Sequence, residues 1–340
     1  MRLRLAALAA FGTLAAGIIL LLVAATGEGR AQAARIPFLI ATGPSGGTYF
    51  PVGQAIAGAV SNPPGANHCQ VSEACGPPGL IASAHTSDGA VANVLAVNAG
   101  NVDSGLAQAD VVAEAEQGIG AFRGPGKQSH VRILASLFSE DVHLVVAARS
   151  HIQSVSDLVG KRVSLGAELS GTNVTARAVL AAYRLSERNV KTSHDSVDAA
   201  TARLQDGKLD AFFFVGATPV PVVSDLVSRG IARLVPIDGA GRGRLAKTVP
   251  SIEPDRIAAR TYAGTGAVET VRVQALWIVR DTMPASLAYG VLRALYNPAN
   301  RDELDVMPAT RAIRMDDAAR HLPAPLHPGA TQFFRENGKL

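Results

Sequence analysis

A short apolar run that leads directly into a glycine-rich turn is the feature that most limits the fold of this chain. Residues Ile36–Ile40 are apolar, and Ala41–Gly53 follows them with the sequence ATGPSGGTYFPVG. The glycines of the turn leave backbone N–H groups free to point outward. A helix predicted to begin near Tyr49 adds partial positive charge at its N-terminus. The pattern predicts a strand, a tight turn and a helix, and it fits either an anion site or a turn that needs glycine only for its geometry.

The same turn contains the G-x-S-x-G pattern of an α/β-hydrolase nucleophile, with Ser45 at its centre. His321 and His327 follow Ser45 along the chain, but no acidic residue stands out as their partner. An α/β-hydrolase has further strands before this turn, and a loop there that supplies an oxyanion-hole N–H. We expect no such segment before Ile36, so a serine esterase that uses Ser45 is kept as the alternative function.

The first 33 residues are predicted to be an export signal and not part of the fold. Arg2 and Arg4 precede an uncharged run over Leu5–Thr26, and the sequence Ala-Gln-Ala at 31–33 supplies a small-x-small cleavage site. The run is long enough that an uncleaved membrane anchor is the alternative. In either case we expect the body of the protein to lie in the periplasm.

The two cysteines fit an oxidising compartment. Cys69 and Cys75 flank the sequence QVSEA, and a disulfide that closes this short loop is expected outside the cytoplasm. A metal site needs more ligands than the neighbouring His68 adds. We therefore predict a disulfide, no metal ion and no cofactor.

The composition excludes two classes of binding protein. Removal of residues 1–33 takes away three arginines and one glutamate and leaves a net charge of +2. This excess is too small and too dispersed for a nucleic-acid-binding surface. Aromatic residues make up 5% of the chain, which is few for a sugar-stacking cleft.

Predicted strands and helices alternate along the mature chain with short turns between them. A chain of roughly 305 mature residues suits two α/β lobes better than one core. The alternation restarts near Ser154 and ends with a returning strand at Val271–Arg280. We therefore predict an α/β fold with a first lobe of residues 36–142 and 268–340, a second lobe of residues 143–267, and a cleft between them.

Polar turns that follow predicted strands are expected to gather at this cleft, because ligands bind at the carboxyl ends of strands in such folds. The sequence GAELSGTN at 166–173 is a second turn with Gly, Ser and Thr at a helix start. Two opposed helix N-termini favour an anionic ligand. Leu137–His143 is predicted to be a turn near the lobe crossover, where Glu140, Asp141 and His143 serve a structural or hinge role. Gly239–Arg244 is predicted to be a basic loop.

With these segments assembled, the chain resembles the solute receptors of tripartite ATP-independent periplasmic (TRAP) transporters, specifically the TAXI subfamily. The similar stretches are collinear and cover nearly all of residues 36–338. They are IATGPSGGTYFPVGQAIA, DGAVANVLAVNAGNVDSGLAQAD, ILASLFSEDVHLVV, DLVGKRVSLGAELSGTN, LDAFFFVGATP and LHPGATQFFRENG.

The resemblance implies a two-lobed, class II type periplasmic-binding-protein fold without enzymatic activity. It also implies a monomer that closes on a small anionic or zwitterionic, glutamate-like solute and delivers it to a TRAP-type membrane permease. A receptor of an ATP-driven importer shares this fold and is the second alternative. The candidate ligand contacts are Ser45, Gly46, Gly47, Thr48, Tyr49, Gln108, Ser136, Ser170, Gly171 and Thr172, with Val215, Gly216 and Pro219 shaping the wall.

Overall fold

Ten strands form a single mixed sheet in the computed structural model, which describes residues 34–65 and 74–340. The strands are β1 (Ile36–Ala41), β2 (Leu80–His85), β3 (Ser104–Gln108), β4 (Val131–Ala147), β5 (Arg162–Ser164), β6 (Lys191–Ser193), β7 (Ala211–Gly216), β8 (Ala232–Val235), β9 (Ile252–Ile257) and β10 (Val268–Arg280). The helices are α1 (Tyr49–Val60), α2 (Ala90–Ala99), α3 (Ala109–Gln117), α4 (Gly171–Ala182), α5 (Val197–Gln205), α6 (Pro221–Ser228), α7 (Gly239–Thr248), α8 (Ala285–Leu295), α9 (Arg301–Leu304), α10 (Pro308–Arg311) and α11 (Pro328–Glu336). Single 3-10 turns lie at Gly120–Phe122, Val155–Leu158, Glu187–Asn189 and Pro298–Asn300. This mixture of elements confirms the predicted α/β class.

Two long antiparallel strands, β4 and β10, run through the middle of the sheet, whose order is β2-β1-β3-β10-β4-β7-β5-β6. On one side β1 lies parallel to β2 and β3, and on the other side β5 lies parallel to β6 and β7. Strands β8 and β9 pair antiparallel with β4 and β10. The first parallel set joins the central pair through β3, which pairs with β10, and the second joins it through β7, which pairs with β4.

The core is dense in aliphatic side chains and is anchored by a few aromatic ones. Trp277 of β10 is fully buried, and its ring meets the buried Phe38 ring of β1 edge-on at 6.3 Å between centroids. Phe333 and Phe334 of α11 pack in the same cluster against α8. Such edge-on aromatic pairs add roughly 0.5–1.5 kcal/mol beyond the burial of their area. These contacts fix the C-terminal helices against the sheet.

The predicted turn over Leu137–His143 is wrong, because this segment is the middle of β4. Residues Ser139–Asp141 pair with Arg272–Gln274 of β10, and Asp141 also pairs with Gly216 of β7. Charged residues in sequence suggest a turn, but backbone pairing on both sides of the strand keeps it extended.

The predicted loop over Gly239–Arg244 is also wrong, because these residues begin helix α7. The Arg244 guanidinium donates a 2.7 Å hydrogen bond to the Ala182 carbonyl oxygen at the end of α4. The Tyr183 hydroxyl donates one of 2.6 Å to the Asp238 carbonyl oxygen, just before α7. Three glycines give α7 a poor intrinsic propensity, so these contacts with another helix decide its conformation.

Several predictions fall outside the described residues. The predicted export signal at 1–33 and Cys69 both lie there, while Cys75 is buried. The disulfide and the N-terminal signal or anchor therefore remain predictions, as do the lobe boundaries. Within the described ranges, no helix is long and apolar enough to cross a membrane.

Candidate functional site

A small cavity lies where five strand-to-helix turns meet. Helices α1 to α5 all begin at it, directly after the strands β1, β2, β3, β5 and β6. The residues of these helix starts that line the cavity are Thr48, Tyr49, Gly89, Ala90, Gln108, Ser170, Gly171, Ser196 and Val197. The cavity leaves about 60 Å³ for the centres of water-sized molecules, which suits a small solute.

The groups that the cavity can offer to a negative charge belong to helix N-termini and not to cationic side chains. Each N-terminus carries partial positive charge on N–H groups that have no acceptor within the helix. Helix α1 has neither a capping side chain nor an acidic residue in its first turn, and α4 has no acidic residue there. In the part of the chain that the structure describes, no lysine or arginine lines the cavity. Backbone donors are therefore what it offers to a negatively charged group.

Two threonine hydroxyls at the cavity keep their protons available. Thr48 Oγ1 accepts a 3.1 Å hydrogen bond from the Ala217 N–H, and Thr172 Oγ1 accepts one of 3.1 Å from the Val215 N–H. Because the backbone uses each oxygen as an acceptor, each O–H can donate to a third group. Ser170 differs, since its hydroxyl already donates to a backbone carbonyl oxygen at 2.6 Å. The two threonines are therefore better placed than Ser170 to donate to a solute.

Gln108 and Gly171 meet at the cavity from the two predicted lobes. Gln108 is 3% exposed, and its side-chain nitrogen has no acceptor among the described residues. A Cβ atom on Gly171 would overlap the Gln108 side-chain oxygen and would lie 3.1 Å from the Ala90 Cβ. Glycine is therefore needed at 171 for close approach. A buried donor without an acceptor, beside a cavity, points to an acceptor that a solute supplies.

An acidic cluster is buried at the same cavity. Glu140 lines it and is 2% exposed, and its Oε2 accepts a 2.7 Å hydrogen bond from the Tyr49 hydroxyl. Burial, reinforced by the negative charges of Asp110 and Asp141, raises the pKa of the Glu140 carboxyl to about 8. Burial also raises the pKa of Asp110 to about 6, although the Thr175 hydroxyl donates to its carboxylate at 2.7 Å. Glu140 is thus held mainly protonated at neutral pH.

His143 lies outside the cavity lining, in a separate buried network. Its Nε2 accepts a 2.8 Å hydrogen bond from the Tyr262 hydroxyl, and its Nδ1 donates one of 3.0 Å to the Asp141 carbonyl oxygen. The Thr218 hydroxyl donates to the Asp141 carboxylate, and the Val220 N–H donates to the Tyr262 oxygen at 2.9 Å. Burial lowers the pKa of His143 to about 4. These bonds give His143 a structural role within β4 and not in the predicted turn.

Most predicted contact residues come together at the cavity. Those that line it are Gly47, Thr48, Tyr49, Gln108, Ser170, Gly171, Thr172 and Val215. Those outside its lining are Ser45, Gly46, Ser136, Gly216 and Pro219. Of these, Ser136 lies within β4 and lines a different cavity of about 300 Å³, together with Arg272 and Gln274.

Among the residues that the structure describes, Ser45 has no histidine partner. Ser45 is exposed and lies outside the cavity. Both ring nitrogens of His327 are occupied: Nδ1 accepts from the Gly329 N–H, and Nε2 donates to the Met283 carbonyl oxygen. His321 lines the cavity that contains Ser136. The G-x-S-x-G pattern is therefore not part of a Ser-His arrangement. In the described ranges, no group of His, Cys, Asp and Glu is arranged to hold a metal ion.

The candidate ligand contacts did not include three parts of the lining. Glu140 lines the cavity, and so do the turn at Asp88–Ala90 and the turn at Asp195–Val197. A signal exists for both turns, since each places an acidic residue between a strand and a helix start. No local signal separates Glu140 from its neighbours, because its position depends on the path of β4.

Comparison with known proteins places the chain among solute-binding proteins. A model of the NMT1-like family matches residues 40–338. A structure from Bordetella bronchiseptica RB50 shares 14% identity at a TM-score of 0.53, over 90% of this chain and 99% of that one. The periplasmic binding protein BugD shares 10% identity at a TM-score of 0.51, over 89% of this chain and 94% of that one. At these identities the two structures support only the assignment of the fold.

A third similar structure is the alkanesulfonate-binding protein SsuA from Xanthomonas axonopodis pv. citri bound to MOPS. It shares 16% identity at a TM-score of 0.48, over 91% of this chain and 81% of that one. The fold is a mixed α/β periplasmic-binding-protein fold of class II, as predicted.

Proposed function

Because the chain belongs to the NMT1-like family, the substrate-binding family of TAXI-type TRAP transporters, we propose that it binds a small carboxylate-bearing solute and delivers it to a TRAP-type permease. It is an extracytoplasmic solute-binding receptor of a transporter and not an enzyme. Family membership therefore removes the serine esterase alternative, and the finer identity of the solute is what we propose.

The convergence of five helix N-termini on one small cavity is the observation that carries this proposal. Five helix starts, with no lysine or arginine in the lining among the described residues, suit a negative group that is bound by neutral donors. Thr48 and Thr172 add hydroxyl donors, and Gln108 adds an amide donor that has no protein acceptor. A carboxylate would accept from several of these donors at once.

We also propose that residues 36–142 with 268–340 and residues 143–267 act as two lobes that close on the solute. Two hydrogen bonds across this boundary support the proposal: the Ala92 N–H donates to the Leu169 carbonyl oxygen at 3.1 Å, and Thr175 donates to Asp110 at 2.7 Å. Export to the periplasm, by a cleaved signal or an anchor at 1–33, and function as a monomer belong to the same proposal.

The first prediction tests the anion site. A thermal-shift screen over amino acids and organic acids identifies a solute, and calorimetry then measures its affinity for variants. Thr172→Ala should weaken binding about tenfold or more, because a hydrogen bond to a charged group contributes on the order of 1.5–3 kcal/mol. Thr172→Ser, which keeps the hydroxyl, should lose less.

The matched control is Thr248→Ala on the exposed end of α7, which should bind like the wild type. A screen in which no carboxylate-bearing compound binds would refute the proposed solute class. Wild-type affinity in Thr172→Ala would instead remove Thr172 from the site.

A further inference from the structure

Glu140 occupies an unusual place for an acidic residue in a cavity that is otherwise built for a negative group. It lies in the middle of the central strand β4 and is 2% exposed. The Tyr49 hydroxyl, at 2.7 Å, is its single side-chain hydrogen-bond partner in the described chain. A buried carboxylate normally has a cationic partner or several donors, and this one has a single neutral donor.

The charged groups that act on Glu140 are acidic. Asp110 on α3 and Asp141 on β4 are the acidic residues whose charge acts on it, and Tyr49 on α1 is a neutral donor. At the cavity rim, Asp88 is exposed and Asp195 is already paired with Arg203. No cationic side chain of the described lining compensates Glu140. Burial, reinforced by these acidic neighbours, raises the pKa of Glu140 to about 8.

The same cavity also holds hydrogen-bond donors without acceptors, and these require a negative group on the solute. The side-chain nitrogen of Gln108 is buried without an acceptor, and the first N–H groups of α1 have no capping side chain. These donors need a negative or strongly accepting group. The cavity thus presents unpaired donors and one uncompensated acid together, and a solute that carries only a carboxylate satisfies just the donors.

We propose that Glu140 is the specificity residue of this receptor and selects solutes that carry a protonated amine beside their carboxylate. This inference rests on the proposed function, since it assumes that a carboxylate occupies the helix starts. The ammonium group pairs with the ionised Glu140 carboxylate, and the solute carboxylate accepts from Gln108 and the helix N–H groups. A solute without the amine leaves Glu140 protonated and gains at most one neutral donor from it.

The pairing requires a proton to leave the site. At pH 6.5 the Glu140 carboxyl, with its pKa raised by burial to about 8, is mainly protonated, whereas the pair needs the carboxylate. An amine that arrives already protonated brings its own charge, so the Glu140 proton goes to the buffer. Binding of an amino acid near pH 6.5 should therefore release about one proton, whereas binding of the matching acid without the amine should release none.

The experiment compares solutes that differ only in the amine. The probes are L-glutamate with glutarate, L-aspartate with succinate, and L-leucine with 4-methylpentanoate, titrated by calorimetry at pH 6.5 in two buffers of different ionisation enthalpy. We expect the wild type to bind the amino member of at least one pair tenfold or more tightly, with release of about one proton. Glu140→Gln, a neutral variant of the same shape, should reduce the preference below threefold and abolish proton release.

Glu114→Gln is the matched control, because Glu114 is an acidic residue on α3 outside the cavity that bonds the Ala121 N–H. It should keep both the preference and the proton release. If the wild type binds both members of a pair equally, or releases no proton, Glu140 does not select an amine, and the carboxylate receptor still stands. If no probe binds and the wider screen finds no carboxylate-bearing solute, the proposed function fails, and this inference fails with it.

Discussion

The role of a side chain in β4 depends on the face of the sheet on which it lies. Glu140, Asp141 and His143, within four positions of this strand, are an example. Successive side chains of a strand point to opposite faces of the sheet. Glu140 therefore faces the cavity, while Asp141 and His143 share the other face and bond Thr218 and Tyr262. One local sequence thus supplies a site residue and a structural network.

The His143 network predicts an acid-sensitive fold. Burial lowers the pKa of His143 from an ordinary 6.5 to about 4, so the unfolded chain binds more protons between these pH values. The contribution of this residue to the free energy of unfolding should fall by up to roughly 3 kcal/mol as the pH drops from 6.5 to 4. Urea unfolding of wild type and His143→Gln across this range measures the difference. The exposed His151→Gln should keep the wild-type slope, and an equal slope in His143→Gln would contradict the assignment.

At the scale of elements, the start of α4 combines a cap with a binding surface. Ser170 Oγ accepts a 3.1 Å hydrogen bond from the Asn173 N–H and donates one to the Ala167 carbonyl oxygen. Thr172, two residues later, keeps its proton for the cavity. The cap and the donor are thus different residues of one turn.

This division predicts different outcomes for two substitutions in the turn. Ser170→Ala should lower the free energy of unfolding by about 1 kcal/mol, because the helix loses its cap. Its solute affinity should fall less than that of Thr172→Ala. Urea unfolding and calorimetry on both variants, with Ser170→Thr as the conservative control, test this. A Ser170→Ala protein of wild-type stability that binds more weakly than Thr172→Ala would show that Ser170 donates to the solute.

The loop between α1 and β2 carries the predicted disulfide. Cys69 and Cys75 should be oxidised in protein exported to the periplasm, and closure of so short a loop should contribute at most about 2 kcal/mol. Alkylation of the unreduced exported protein followed by mass spectrometry measures the free thiols. Two alkylated cysteines would overturn the prediction.

At the scale of the whole molecule, the predicted lobes are in contact around the cavity. Gly171 packs directly on Gln108, and a buried hydrogen bond joins Thr175 to Asp110. In the proposed closure of the two lobes, these contacts form only in the closed state. If the protein without solute is open, these contacts form on closure and make solute binding tighter.

Thr175→Val should therefore weaken solute binding without altering the cavity lining. The variant keeps the shape of the side chain but removes its hydrogen bond to Asp110, so affinity should fall about tenfold. X-ray scattering should show that saturating solute compacts the wild type, and that Thr175→Val needs more solute for the same change. Identical scattering curves of the wild type with and without solute would contradict closure.

Sequence alone determined the local parts of this protein. The start of α1 at Tyr49 was predicted, because glycine, apolar spacing and turn residues act within a few positions of one another. The glycine-rich turn and the turn before α4 were predicted to gather at one cleft, and both line the same cavity. The collinear resemblance added the family and the class of the fold, which the family match confirms.

Tertiary structure decided the rest. The continuity of β4 depends on pairing with β10 and β7, and the helix at Gly239 depends on contacts with α4 and Tyr183. Glu140 lines the cavity because its side chain lies on one face of β4, and the sequence did not predict this part of the strand. The physical reason is the same in each case. Backbone conformation responds to neighbours along the chain, whereas burial, partner atoms and pKa depend on segments that are distant in sequence and meet only in the folded protein.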